Sequence, residues 1–302
     1  MNSLNITANL ARLLIEEQFP EYAHLEITHL EKQGHDNRTF RLGEDMLIRM
    51  PAAIDYEKQV EKEHEILPKL AQHLSVSIPA PIKMGKPCRA FPYHFSIYKW
   101  LAGTSINLLL LTEREKEILA VDLAVFLKEL HNITEIKGPK PGIHNFWRGE
   151  HISIYEKAAR EQIKKLAGLY DPSFYNEAID LLEKATATKW QKEPVWVHGD
   201  FAIGNMLVDG YRPHKLSAII DFGCSAQGDP ACDLVIAFTY FEGIARQIFI
   251  KEMNLDSGTW LRAKAWALWK ASFELCRLED KSSPESLIQQ KIISEVINGK
   301  NK

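Results

Sequence analysis

The stretch Val195–Gly210, VWVHGDFAIGNMLVDG, sets two apolar runs of strand type around a polar loop that holds His198, Asp200 and Asn205. An Asn-Gly or Asp-Gly tip would suffice for a surface hairpin. Here an Asp and an Asn stand five residues apart between strands that read as buried. Sixteen residues beyond Asn205 lies Asp221, in Ile219-Ile220-Asp221-Phe222-Gly223, again after an apolar run. Each strand therefore delivers an oxygen-bearing side chain at its end.

Oxygen ligands suit a hard cation. Asn205 and Asp221 are a fitting pair for Mg²⁺, which completes its shell with phosphate oxygens and water. Asp200 is then placed to orient an acceptor hydroxyl and take its proton during phosphoryl transfer. H-x-D-x-x-x-x-N followed by D-F-G is the order of the protein-kinase template. Either piece alone reads as an ordinary turn; the order and spacing together carry the reading. His198 is read as a brace of the loop, not a proton carrier.

Such a site also needs a phosphate cover, a strand cation and a helical acid. Gly34, in the turn of EKQGHDNRTFRLG, marks the cover. Arg49, in Met46–Met50, takes the cation position. Glu63 shares a helix face with Val60 and Leu67, so its charge needs a partner, and Arg49 is the candidate. Glu61 and Glu65 point elsewhere and read as solvated.

Around these motifs the chain changes character once. Residues 25–50 read as three strands and two turns, 55–73 as a helix, and 91–101 as a further strand. After Gly103 helices dominate: 113–131 carries the stripe Leu119, Leu123, Phe126, Leu127 and Leu130, and 150–190 and 231–295 are helical. Residues 3–18 read as a first helix. The expected division is a β-rich lobe over 1–98, a hinge over 99–103 and a mainly helical lobe over 104–302, with a ligand cleft between the lobes.

Composition fits this picture. The 302 residues are 45% hydrophobic and 25% charged, with a formal charge of -3, which offers no basic surplus for nucleic acid or an acidic membrane. Cys88, Cys224, Cys232 and Cys276 form no C-x-x-C pair and read as reduced thiols. The start has no secretory pattern, and the longest aliphatic run is Leu108–Leu111. A cytoplasmic monomer, with no nucleic-acid or membrane partner, is expected.

Taken together, VHGDFAIGNMLVD (197–209), AIIDFGCSAQGDPACDL (218–234) and GHDNRTFRLGEDMLIRMP (34–51) resemble the bacterial aminoglycoside phosphotransferase family. VEKEHEILPKLA (60–71), SIPAPIKMGKP (77–87), YKWLAGT (98–104) and FLKELHNI (126–133) agree in the same order, so the likeness spans about residues 20 to 270. It implies an α+β, protein-kinase-like bilobal fold, with Asp200 as catalytic base, Asn205 and Asp221 as Mg²⁺ ligands, and ATP or GTP as donor. It implies a purine held at the hinge backbone of Lys99, Trp100 and Leu101, with Tyr98 at the gate, and a capping role for Asp233. Many relatives have Lys where this chain has Arg49. The implied acceptor pocket uses acids of the later helices, here Glu242, Glu274, Glu279 and Asp280, with Trp266 and Trp269 as aromatic candidates or, alternatively, as core. Arg246, Arg262 and Lys264 dilute that acidity. An aminoglycoside leads among acceptors; a macrolide, a sugar, an amino alcohol or homoserine are alternatives, as is a non-catalytic nucleotide binder. A protein kinase is disfavoured, since no A-P-E segment follows and GDP begins five residues after Gly223.

Overall fold

The computed structural model describes residues 5–30, 34 and 36–299. Its first part is a five-stranded antiparallel sheet in the order β1-β2-β3-β5-β4: β1 (Ile27–His29), β2 (Asn37–Leu42), β3 (Met46–Pro51), β4 (Pro81–Gly85) and β5 (Phe95–Lys99). Phe40, Leu42, Ile48, Met50, Phe95 and Ile97 point from the sheet into one core, which α1 (Ala8–Gln18) closes with Ala11, Leu14 and Ile15. Helix α1 starts at Thr7, whose hydroxyl accepts the Leu10 N–H, later than the expected start at residue 3. The three strands read in 25–50 are present, as is the second turn at residues 43–45; the first turn, around Gly34, falls mostly outside the described residues. Strand β4 was not expected: Pro81 opens it, Lys83 and Met84 are exposed, and it lies on the sheet edge, where a proline costs no ladder bond.

Helix α2 (Glu57–Leu70) connects β3 to β4. Its Ile66, Leu67 and Leu70 do not join the sheet core. They pack with Ile78, Leu123, Phe126 and Leu127 in the larger core. Glu61 and Glu65 are exposed, as their helical phase requires.

The remainder is mainly helical: α3 (Glu113–His131), α4 (Glu156–Leu166), α5 (Phe174–Thr186), α6 (Ile236–Thr239), α7 (Gly243–Met253), α8 (Ser257–Arg277) and α9 (Pro284–Asn298). Thr112 and Glu115 close a reciprocal capping box on α3, and the expected Leu119-to-Leu130 stripe is buried. Between α5 and α6 the chain forms four strands that, together with an earlier one at Thr104–Ser105, make two small antiparallel sheets. One pairs β7 (Val195–Val197) with β10 (Ala226–Gly228); the other orders β6 (Thr104–Ser105), β8 (Met206–Val208) and β9 (Leu216–Ile219) as β6-β8-β9. These pairings place the loop after β7, the start of β8 and the end of β9 side by side. The fold is thus α+β and bilobal. Among the described residues, no helix is long and apolar enough to cross a membrane.

Candidate active site

The loop between β7 and β8 is held from beneath by a buried carboxylate. Asp233 accepts the backbone N–H of His198 at 2.6 Å and of Gly199 at 2.8 Å. The capping role expected of Asp233 is not the one its carboxylate takes: it follows a short 3₁₀ turn whose capping side chain is Asp229, and it binds the loop instead. Burial raises the Asp233 pKa, against the pull of His198 and the two N–H groups. Gly199 has φ +84°, and a Cβ there would lie 2.4 Å from the Cys224 carbonyl oxygen, so only glycine fits.

His198 is fully buried. Its Nδ1 lies 3.2 Å from the Asp200 N–H, which it must accept, so Nε2 carries the proton and donates to the Ile220 carbonyl at 3.0 Å. Both ring nitrogens of His198 are occupied by hydrogen bonds. It ties the loop of Asp200 to the strand end that carries Asp221.

Asp200 has both carboxylate oxygens engaged. Lys270 Nζ donates to Oδ1 at 3.0 Å, and Asn205 Nδ2 donates to Oδ2 at 3.1 Å. Burial would raise the Asp200 pKa, but Lys270, chief among the opposing groups, brings it below the usual aspartate value. Asn205 spends its amide nitrogen on Asp200 and leaves its oxygen available. Asp221 adopts left-handed φ/ψ of 68° and 64°, unusual for a non-glycine residue and typical of a functional turn.

Arg49 crosses from the sheet to meet these groups. Nη1 bonds both Glu63 oxygens, at 3.1 and 3.2 Å, and Nη2 pairs with Asp221 Oδ1. The expected Arg49–Glu63 ion pair is therefore present, with Asp221 as a second partner. Burial disfavours the Arg49 charge, yet Asp221 and Glu63 outweigh it and hold its pKa above the ordinary value. The Tyr98 hydroxyl donates to Glu63. A cleft of about 660 Å³ brings together Gly34, Arg49, Tyr98, Lys99, Trp100, Leu101, Asp200, Asn205 and Asp221. At the hinge, the Lys99 N–H goes to Ala80 and the Trp100 N–H to Asp45, whereas the Leu101 N–H has no partner among the described residues. Arg41 covers the Trp100 ring at 3.6 Å.

The residues expected to receive an acceptor are placed differently. Trp266 and Trp269 are buried, with Trp269 stacked on Tyr155 at 3.8 Å; they are core, because α8 turns the face they share inward. Glu242 lies at the start of α7, paired with Lys291 at 2.5 Å, and does not line the cleft. Glu274 is half-buried on α8, one turn beyond Lys270.

Several site residues escaped the sequence reading. Lys62 donates to the carbonyls of Gly223 and Ser225, fastening α2 to the segment after Asp221. Gln59 lies so close under Gly223 that a Cβ there would meet its amide at 2.7 Å. Lys270 is a lone cation in the apolar run WALWKASF, which is the one available signal for it.

Residues 29–266 match the model of the phosphotransferase enzyme family. Solved structures with a similar fold include the GDP complex of wild-type aminoglycoside 2'-phosphotransferase-IIIa (18% identity, TM-score 0.75, covering 97% of this chain and 99% of that one). The ADP-bound aminoglycoside phosphotransferase APH(2'')-Ib is similar at 21% identity and TM-score 0.58, over 97% of each chain. Macrolide 2'-phosphotransferase MphH from Brachybacterium faecium, an apoenzyme, follows at 17% identity and TM-score 0.58, over 98% of this chain and 100% of that one. At these identities the likeness is one of fold.

Proposed function

The chain belongs to the phosphotransferase enzyme family, and we propose that within it the protein moves the γ-phosphoryl group of ATP or GTP to a hydroxyl of a small molecule. The observation that carries this reading is the convergence of Asp200, Asn205 and Asp221 in the cleft whose far side is the hinge. Neighbours of this fold bind GDP or ADP, which suits a nucleoside triphosphate donor.

In this reading the purine lies at the hinge, with the Leu101 N–H as donor. Arg49, aligned by Glu63 and Tyr98, faces the phosphates. The acceptor hydroxyl hydrogen-bonds Asp200, which takes its proton as the oxygen attacks the γ-phosphorus in line and the nucleoside diphosphate leaves. Asn205 Oδ1 and the Asp221 carboxylate fit Mg²⁺: both are oxygen donors in one cleft, and two protein ligands suffice for an ion that shares phosphate oxygens. When bound, Mg²⁺ would neutralise charge on the β- and γ-phosphates. Asp233 and His198 hold Asp200 at its station.

The acceptor class is broader than the aminoglycosides. A polyamine drug calls for acids facing the base, and here Lys270 meets Asp200 while Glu242 is held by Lys291. A cytoplasmic monomer without nucleic-acid or membrane partners accords with the near-neutral charge. The test is purified protein with Mg²⁺, ATP or GTP, and a panel of hydroxylated acceptors that includes aminoglycosides, macrolides, sugars, amino alcohols and homoserine. Nucleoside diphosphate release and a product heavier by one phosphoryl group are expected. No turnover with any acceptor, together with no thermal shift on adding nucleotide, overturns the reading.

A further inference from the structure

We propose that the acceptor carries an anionic group, a carboxylate or a phosphate, seated between Lys270 and Arg148 beside Asp200. This rests on the kinase reading above and names the acceptor chemistry of that site.

Two cations meet where a polycationic acceptor would need acids. Lys270 reaches Asp200 from α8, and both side chains stay about one-third exposed (33% and 38%), so the pair is open to a ligand. The second cation is Arg148. Its guanidinium lies 5.4 Å from the Trp266 ring and 5.1 Å from the Trp269 ring, and its charge reaches Asp200 and Cys224. Its Nε is buried without a partner, and no acid among the described residues pairs with it. An unpaired guanidinium beside a reacting centre is a binding element for a planar anion. The nearby acids do not cancel it: Glu150 is spent on the His151 N–H at 2.9 Å, and Glu274 lies one turn away on α8 with no bond to Lys270.

The loop that presents Arg148 is built for the purpose. Phe146 and Trp147 both adopt left-handed φ, 53° and 56°. Two consecutive non-glycine residues in that region persist only where the surroundings impose them. Buried Asn145 imposes them: its oxygen accepts the Gly142 N–H, and its nitrogen donates to the carbonyls of Arg148 and Cys224. The Tyr155 hydroxyl donates to the Phe146 carbonyl at 2.6 Å. The outcome is Arg148 turned inward over the tryptophans, while Phe146 and Trp147 stand 43% and 37% exposed at the rim.

The arrangement also gives the anion a task. Lys270 occupies Asp200 Oδ1. An acceptor carboxylate or phosphate takes over Lys270, and Oδ1 becomes free for the acceptor hydroxyl. The hydroxyl oxygen then bonds to the γ-phosphorus, the bond to the β,γ-bridging oxygen breaks, and the proton passes to Asp200.

The experiment compares kcat/KM across matched acceptors: hydroxy acids against their amides, sugar monophosphates against the free sugars, and kanamycin. Binding of each to protein with a non-hydrolysable nucleotide is followed by thermal shift. Anionic members should be preferred roughly 10-fold or more, as for one charged hydrogen bond; hydroxy acids and sugar phosphates separately report which anion fits. Lys270→Met and Arg148→Met should each collapse the anionic-to-uncharged ratio, mainly through KM, and Lys270→Arg should keep it; this ratio does not depend on the folded fraction. Preference for uncharged or polycationic acceptors, an unchanged ratio in both Met variants, or neither turnover nor shift with any anionic probe overturns the proposal. Kanamycin turnover with no anionic turnover would do so while leaving the kinase reading intact, whereas loss of nucleotide binding would sink that reading itself.

Discussion

Replacing Asp233 by alanine tests how the catalytic loop is held. The carboxylate is fully buried and satisfies two buried donors, the N–H groups of His198 and Gly199. Each donor left without a partner costs about 1–3 kcal/mol, so the two together cost about 2–6 kcal/mol. Part of this is returned, because burial of the carboxylate already opposes its charge, as its raised pKa shows. A net loss near 3 kcal/mol is expected, a large share of the ~5–15 kcal/mol that stabilises a typical protein. Asp233→Asn keeps one acceptor but turns an amide N–H₂ toward the other donor, so it should lose about 1–3 kcal/mol. Urea unfolding of the two variants beside the parent measures both losses. Under conditions where all three are folded, kcat should fall in both variants, by up to ~10²-fold if Asp200 shifts by about 1 Å. Nucleotide affinity should hold, since the hinge and Arg49 are untouched. An unfolding midpoint and kcat equal to the parent in Asp233→Ala would refute the idea that this side chain fixes the loop.

Three further outcomes are expected. Asp200→Ala should keep nucleotide binding, measured by thermal shift, and lose transfer by on the order of 10²-fold or more; surviving transfer would remove it as the base. Arg262 is buried with Nε 2.6 Å from Asp229 Oδ2, so Arg262→Met should cost about 3–5 kcal/mol by stranding that carboxylate. Adding Asp229→Asn should recover part of this in urea unfolding, and a double variant weaker than the single would count against the stranded-charge account. Burial lowers the His131 pKa from 6.5 to about 4, so its contribution to stability is present above about pH 6.5 and is lost as the pH falls through about 4. Between pH 8 and pH 5 the loss is about 2 kcal/mol; His131→Gln should flatten that decline, and parallel pH curves for the two proteins would show that another group is responsible.

What the sequence made legible was local placement. Asp200, Asn205 and Asp221 stand at strand ends in short contiguous runs, so order and spacing alone bring them together. Glu63 was legible because helical phase puts it on a buried face, and a buried acid needs a cation. Partners far apart in the chain were not legible. Lys270 bonds Asp200 across 70 residues and the Asp233 carboxylate bonds the loop across 34 and 35 residues, and no periodicity encodes such pairs. Asp233 after a Pro-containing turn looks like a cap, and only the packing of β7 on β10 shows what it holds. Strand β4 hid behind Pro81 and exposed side chains, since an edge strand lacks the alternation that marks a half-buried one. Trp266 and Trp269 share a helix face whichever way it turns, and the structure turns it inward.

Helix α2 sits in sequence between two strands of the small sheet, yet its apolar face fills the large core. The chain after it stays there: Ile78 is buried in that core, and the Ser77 carbonyl accepts the Ile219 N–H of β9. Severing the polypeptide at residues 99–103 would therefore yield two fragments that both misfold. The first would expose Ile66, Leu67 and Leu70, and the second would have a hole where they belong. During synthesis, the large core has to recruit a segment that ends at Leu70, before any of its later helices, the first of which begins at Glu113, has been made. The sheet and α1 share a core of their own, while the helix that β3 and β4 flank in sequence belongs to the large one.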